Sequence, residues 1–145
     1  MASAFYEDFR NQLFNQAGTH GAIDLDAAGT NVKVGLRDEG TTALNLATQV
    51  DHADISSALV ATSGNVANKT VGTAGVGAFD HDNVTYTAVS GNSVESLDYY
   101  KDSGTSSTSP LIANIDEGSV TGLPVTPNGG DITWTPAAGG VFQIT

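Results

Sequence analysis

The hydrophobic pattern changes its period once along the chain. Phe5, Phe9 and Leu13 recur every four residues, Tyr6 and Phe14 widen the stripe, and this spacing predicts an α-helix over residues 3–17. Ser3 can cap its start, Glu7 and Asp8 lie near the positive end of its dipole, and Gly18 can end it. So short a helix is marginal alone in water, so its aromatic face must be covered by the domain's own sheets or by another subunit. Phe5, Tyr6 and Phe9 are the candidate interface residues. The expected split sends Phe9 and Leu13 onto the sheet and leaves Phe5 and Tyr6 to reach a neighbour.

After Gly18 the period becomes two. Ile23-Asp24-Leu25 reads as a short strand, and residues 31–37 alternate, with Val32, Val34 and Leu36 inward and Lys33, Gly35 and Arg37 outward. Residues 41–57 fit a strand or a loop, and residues 54–59 can form one helical turn. Strand patterns return at 59–63, 66–71, 84–89, 94–101, 111–116, 131–135 and 141–145. Turn residues punctuate them about every ten positions, the rhythm of a sandwich or barrel, and Ser90-Gly91-Asn92-Ser93 predicts a hairpin between its flanking strands. Residues 102–109 hold Gly, Ser and Thr without an apolar anchor and are expected to be an exposed, flexible surface loop.

Residues 1–145 therefore read as a single all-β domain. The expected architecture is an antiparallel two-sheet sandwich with one N-terminal α-helix, jelly-roll-like in first choice and immunoglobulin-like in second. A parallel βαβ arrangement needs helices between its strands, and the pattern supplies none.

Composition sharpens this. With 17 glycines and only 14% charged residues the chain suits tight turns between β-strands. Sixteen acids against five Lys and Arg give a net charge of −11, which repels phosphate backbones and anionic lipid, so neither nucleic acid nor a membrane is an expected partner. The absence of cysteine excludes disulfides, thiolate metal sites and a cysteine nucleophile. Residues 1–8 lack a basic n-region and an apolar h-region, so no secretory signal is expected.

Candidate chemistry is thin. His20, His52 and His81 lie near acids and serines, but no Ser occupies a G-x-S-x-G elbow. Asp80-His81-Asp82-Asn83 clusters potential ligands without matching a known cation loop, and Asx hydrogen bonding in a turn explains it. The glycine-rich stretch 72–77 lacks the following helix of a phosphate cradle. Trp134, Tyr99 and Tyr100 could stack on sugar rings, although a lone Trp in an alternating strand more often belongs to a core. No catalytic residue, cofactor or metal is assigned, and the chain is not expected to be an enzyme.

Three stretches carry a resemblance: Leu97-Asp98-Tyr99-Tyr100-Lys101-Asp102, then Pro110-Leu111-Ile112-Ala113-Asn114-Ile115-Asp116, then Gly122-Leu123-Pro124-Val125-Thr126-Pro127-Asn128-Gly129-Gly130-Asp131-Ile132-Thr133, of which 123–130 is the most specific. With Ile23-Asp24-Leu25 and Asn31-Val32-Lys33-Val34-Gly35-Leu36, the chain resembles a family of small tailed-bacteriophage virion proteins thought to act as capsid decoration, or cement, proteins. The resemblance implies a structural protein made in the bacterial host cytoplasm and bound to the outer capsid surface of the virion. Its implied partners are the major capsid protein, whose subunits it would bridge, and further copies of itself as a dimer or trimer. The alternatives are a virion carbohydrate-binding or adhesion module and a tail-associated structural protein.

Overall fold

A computed structural model describes residues 4–14, 23–116 and 122–143. In chain order its elements are β1 (Ala4–Phe5), α1 (Glu7–Phe14), β2 (Val32–Arg37), α2 (His52–Ile55) running into a 3₁₀ turn (Ser56–Ala58), β3 (Leu59–Thr62), β4 (Thr70–Val71), β5 (Ala78–Asp80), β6 (Val84–Tyr86), β7 (Ser96–Lys101), a second 3₁₀ turn (Ser106–Thr108), β8 (Leu111–Asp116), β9 (Ile132–Trp134) and β10 (Phe142–Gln143). The chain is mostly β, and every strand pairing is antiparallel. A five-stranded sheet runs β1-β8-β7-β2-β3, and a three-stranded sheet β10-β5-β4 and a two-stranded sheet β6-β9 complete the set. This is consistent with an all-β sandwich.

The central sheet is buried on both faces, and its two faces differ in chemistry. Register places Val34, Tyr99 and Ala113 in one row and Leu36, Leu97 and Ile115 in the next. Phe79, Tyr86, Val84 and Val66 join them in one core, with Trp134 and Phe142 packed against it. The opposite face carries Gly35, Asp98 and Asn114 in one row and Arg37 beside Ser96 in the next. The expectation that Gly35 and Arg37 face outward fails here, because Tyr6 and the 42–49 segment cover this side. Gly35 also gives room to the neighbouring strand: a Cβ there would stand 2.7 Å from the Leu59 side chain of β3.

The N-terminal element starts later than its four-residue period predicts. Ala4 and Phe5 pair with Asn114 and Ala113 of β8, and the Tyr6 amide donates to the Ile112 carbonyl at 3.1 Å. The unpaired edge of β8 takes these residues as a strand, and the helix begins only at Glu7. The side chain of Leu13, expected on the sheet, lies outside the described residues, as do positions 15–17 of the expected helix.

Other local expectations shift for similar reasons. Ile23-Asp24-Leu25 forms no strand. Residues 90–93 do not close a hairpin: β6 pairs with β9, while β7 pairs with β2 and β8. Asn92 instead donates its side-chain amide to Asp38 at 2.7 Å. Ala4–Phe5 and Ala78–Asp80 are too short to show a period, yet both are strands.

Residues 103–108 are exposed, but the segment is internally tied. The Ser109 hydroxyl, 1% exposed, accepts the Ser103 amide at 3.0 Å and donates to the Thr105 carbonyl at 2.8 Å. Hydroxyls replace the missing apolar anchor.

Candidate interaction surface

Three clusters of polar and titratable groups among the described residues are candidates for a site. The first is the buried face of the central sheet. Arg37 Nη1 donates to Asp98 Oδ2 at 2.9 Å, and the Tyr6 hydroxyl donates to Asp98 Oδ1 at 2.7 Å. The Asn114 side-chain amide adds a bond to Asp98 Oδ1 at 2.9 Å, and Arg37 Nη2 reaches the Thr42 carbonyl at 2.9 Å. Burial, reinforced by the Asp98 charge, pushes the Tyr6 phenol far above its ordinary range, so it remains a donor. Arg37, Asp98 and Tyr6 are each 0% exposed, which seals the cluster from any ligand. It fixes architecture.

The second place centres on His81. Trp134 Nε1 donates to the Tyr99 hydroxyl at 2.6 Å, so that hydroxyl donates onward to His81 Nε2 at 2.7 Å. The other ring nitrogen then carries the proton and donates to the Asp82 carbonyl at 2.5 Å. Both nitrogens of a neutral imidazole are satisfied, and burial lowers the His81 pKa. The Asp80 carboxylate accepts the His81 backbone amide at 2.9 Å, the Asx role its position predicts.

The third is on the surface. His52 Nδ1 lies 2.7 Å from the Ser106 hydroxyl, and its ring packs against Tyr100 at 4.5 Å. The neighbouring carboxylate, Asp102, is already engaged by Lys33 at 2.7 Å and by the Gly104 amide at 2.9 Å. Lys33 holds the Asp102 carboxyl below its usual range. The pair is a surface hydrogen bond beside a closed ion pair. Among the described residues no group of three or more His, Asp or Glu converges as a metal site.

The aromatic residues proposed for sugar stacking do not share a surface. Tyr99 and Tyr100 are buried. Trp134 is half-buried, its N–H committed to Tyr99, and it lines a cleft of about 260 Å³ together with Leu36, Leu123 and Ile132.

An apolar surface lies where the first and last strands meet. Phe5 packs edge-on to Phe142 with ring centroids 5.2 Å apart, and stacks on Phe9 at 5.5 Å. Phe142 in turn stacks on Phe79 at 5.1 Å. Gly140 makes this seam possible: its φ is +92°, and a Cβ there would stand 2.8 Å from the Phe79 carbonyl oxygen. One concavity of about 200 Å³ opens along β1 and β10, lined by Ala4, Phe5, Ile115, Val141 and Phe142. A larger groove of about 480 Å³ lies on the far side of Phe142, floored by Phe9, Phe79 and Phe142 and bordered by Ile23, Leu25 and Val71. Among the described residues the exposed large hydrophobics are Val71 and Val76, 46% and 87% exposed. Val71 lines this groove, and Val76 neighbours Gly77, which does too.

The three candidate interface residues therefore separate. Tyr6 and Phe9 are buried within the chain, at 0% and 1% exposure, so the expectation that Tyr6 reaches a neighbour is corrected. The physical reason is the Asp98–Arg37 pair, which needs a buried donor at that point. Phe5 is half-buried and borders the seam. Phe142 and Val71 carry no sequence signal of exposure, because a short apolar strand reads as core in isolation, and Val76 sits in the glycine-rich turn between β4 and β5. Two acids of the turn-rich segments are buried, Asp38 and Asp116, and Asp38 accepts the Gly40 and Thr41 amides. Glu117 lies outside the described residues.

A comparison with protein-family models finds no match to this chain, and a comparison with curated proteins finds no relative.

Proposed function

We propose that this protein is a structural component of a tailed-bacteriophage virion that binds the outer capsid surface and stabilises the shell by bridging neighbouring major capsid protein subunits. The observation that carries the reading is the aromatic seam of the two terminal strands, flanked by two open concavities and bearing the exposed Val71 and Val76. Aromatic anchors at the centre of an apolar patch are what protein interfaces draw their energy from. The resemblance of residues 97–102, 110–116 and 123–130 to capsid decoration proteins points to the shell as the partner. A net charge of −11 suits the outer face, away from packaged DNA.

The mechanism is linkage: each copy bound to assembled shell and not to free subunits adds its binding free energy to the assembled state. Association of copies with one another on the particle belongs to the same reading. The adhesion alternative draws less support, since Tyr99 and Tyr100 have no free ring face to offer a sugar.

We also read the sandwich as jelly-roll-like rather than immunoglobulin-like. The support is that strands distant in sequence pair across the central sheet, β1 with β8 and β2 with β7, while β6 departs from a fully nested order by pairing with β9.

Imaging of intact particles with a labelled antibody against this chain tests the function. Label distributed over the head supports it, and label confined to the tail, or absent from particles, overturns it.

A further inference from the structure

The groove beyond Phe142 combines two features that together specify an occupant. Its floor and one wall are apolar, through Phe9, Phe79, Phe142 and Val71, while Asp24 and Asp26 stand exposed on its rim. Among the described residues no lysine or arginine lines it. Only five cationic residues exist in the chain. Arg37 is sealed against Asp98, Lys33 is paired with Asp102, Arg10 lies 3.5 Å from Glu7, Lys69 donates to the Thr30 carbonyl at 2.7 Å, and the fifth, Lys101, ends β7 away from the groove. A second copy of this chain would therefore bring another charge of −11 and few cations to a rim that is already anionic.

We propose that this groove receives a segment of a different protein in which a large apolar side chain is flanked by lysine or arginine. The apolar side chain fills the groove over Phe142 and Val71, and the cations meet Asp24 and Asp26. This deepens the capsid reading and rests on it for the partner's identity, because it specifies the chemistry that a shell subunit must present. A neutral or acidic apolar segment gains the same contact area but meets like charge or none at the rim, so the carboxylates act as the selecting element.

The test uses the full chain and three short synthetic peptides: a Leu-Phe centre flanked by lysines, the same centre flanked by glutamates, and lysines flanking an Ala-Ala centre. Binding is followed by amide chemical shifts. The lysine-flanked Leu-Phe peptide is expected to bind, with shifts clustered at 23–26, 71–79 and 142, and the other two are expected to leave those residues unmoved. The double variant Asp24→Asn/Asp26→Asn is expected to weaken that binding by about fivefold at low salt, and added salt to abolish the difference. Val71→Ser, at an exposed position, is expected to weaken binding without altering the fold. Equal binding of the lysine- and glutamate-flanked peptides, or shifts located elsewhere on the molecule, overturns the inference. The same variants separate it from the capsid reading. Wild-type affinity of the Asn double variant for capsids sinks the groove and spares the capsid. Selective peptide binding by a chain that never associates with capsids does the reverse.

Discussion

Tyr6 and Asp98, 92 positions apart in the sequence, meet in the sealed interior through a 2.7 Å hydrogen bond from phenol to carboxylate. That bond joins the N-terminal segment to the middle of the central sheet, and the same carboxylate balances the buried guanidinium of Arg37. Tyr6→Phe removes one donor to a charged acceptor and is expected to cost about 1.5–3 kcal/mol. Asp98→Ala strands a buried cation and is expected to cost more, about 3–5 kcal/mol. Urea denaturation midpoints measure both. A cost for Tyr6→Phe equal to or above that for Asp98→Ala would contradict this ordering.

His81 makes stability depend on pH. Burial holds its folded pKa below the ordinary value of 6.5, so the unfolded chain takes up the proton first on acidification. The stability tied to neutral His81 is fully present above about pH 6.5 and is lost as pH falls below it toward the folded pKa. His52 is shifted the same way by partial burial and adds to the slope. Asp38 and Asp102, held low by their hydrogen bonds, act only below their ordinary value of 3.8. Thermal midpoints between pH 7 and 5 are therefore expected to fall for the wild-type chain and to fall less for His81→Gln. Parallel curves would show that His81 is not the source.

Gly140 and Gly35 separate two kinds of crowding. Gly140→Ala places a methyl 2.8 Å from a backbone carbonyl at a φ of +92°, and is expected to cost about 1–3 kcal/mol. Gly35→Ala meets only the flexible end of Leu59 at 2.7 Å and is expected to cost less. Denaturation midpoints that reverse this order would place the constraint at the sheet centre instead of the seam.

Residues 103–108 are exposed and their hydrogen bonds are mostly local, so a short peptide inserted after Ser107 is expected to leave the denaturation midpoint within about 1 kcal/mol of the parent. Loss of cooperative unfolding on insertion would show that the hydroxyl network supports the sheet beyond the loop.

How much of this was legible in the sequence depends on where each signal is stored. Strands β2 and β8 announced themselves, because six-residue segments carry enough alternation or continuous apolarity to be seen. The polar face of the central sheet did not. A strand reading V-K-V-G-L-R looks half-exposed, and only the arrival of Tyr6 from the far end of the sequence buries Arg37. Strand β1 was misread as helix because Phe5 and Phe9 keep a four-residue spacing while β8 offers the backbone of Ala4 and Phe5 a stronger partner. The interaction surface was half legible. Phe5 stands out as an aromatic near the start, whereas Phe142 gains meaning only when β10 folds beside it, and Val71 and Val76 only when β4 and the turn after it come to the same side.

Binding of the terminal seam to assembled capsid is read out by co-sedimentation of the purified chain with capsids that lack it. Two variants accompany the wild type: Phe5→Ala at the seam, and Val76→Ser, which is 87% exposed and leaves the core untouched. The account predicts saturable binding of the wild-type chain, at least about tenfold weaker for Phe5→Ala as expected for an interface anchor, and measurably weaker for Val76→Ser with unchanged stability. Failure of the folded wild-type chain to sediment with capsids, or wild-type affinity in both variants, would contradict it.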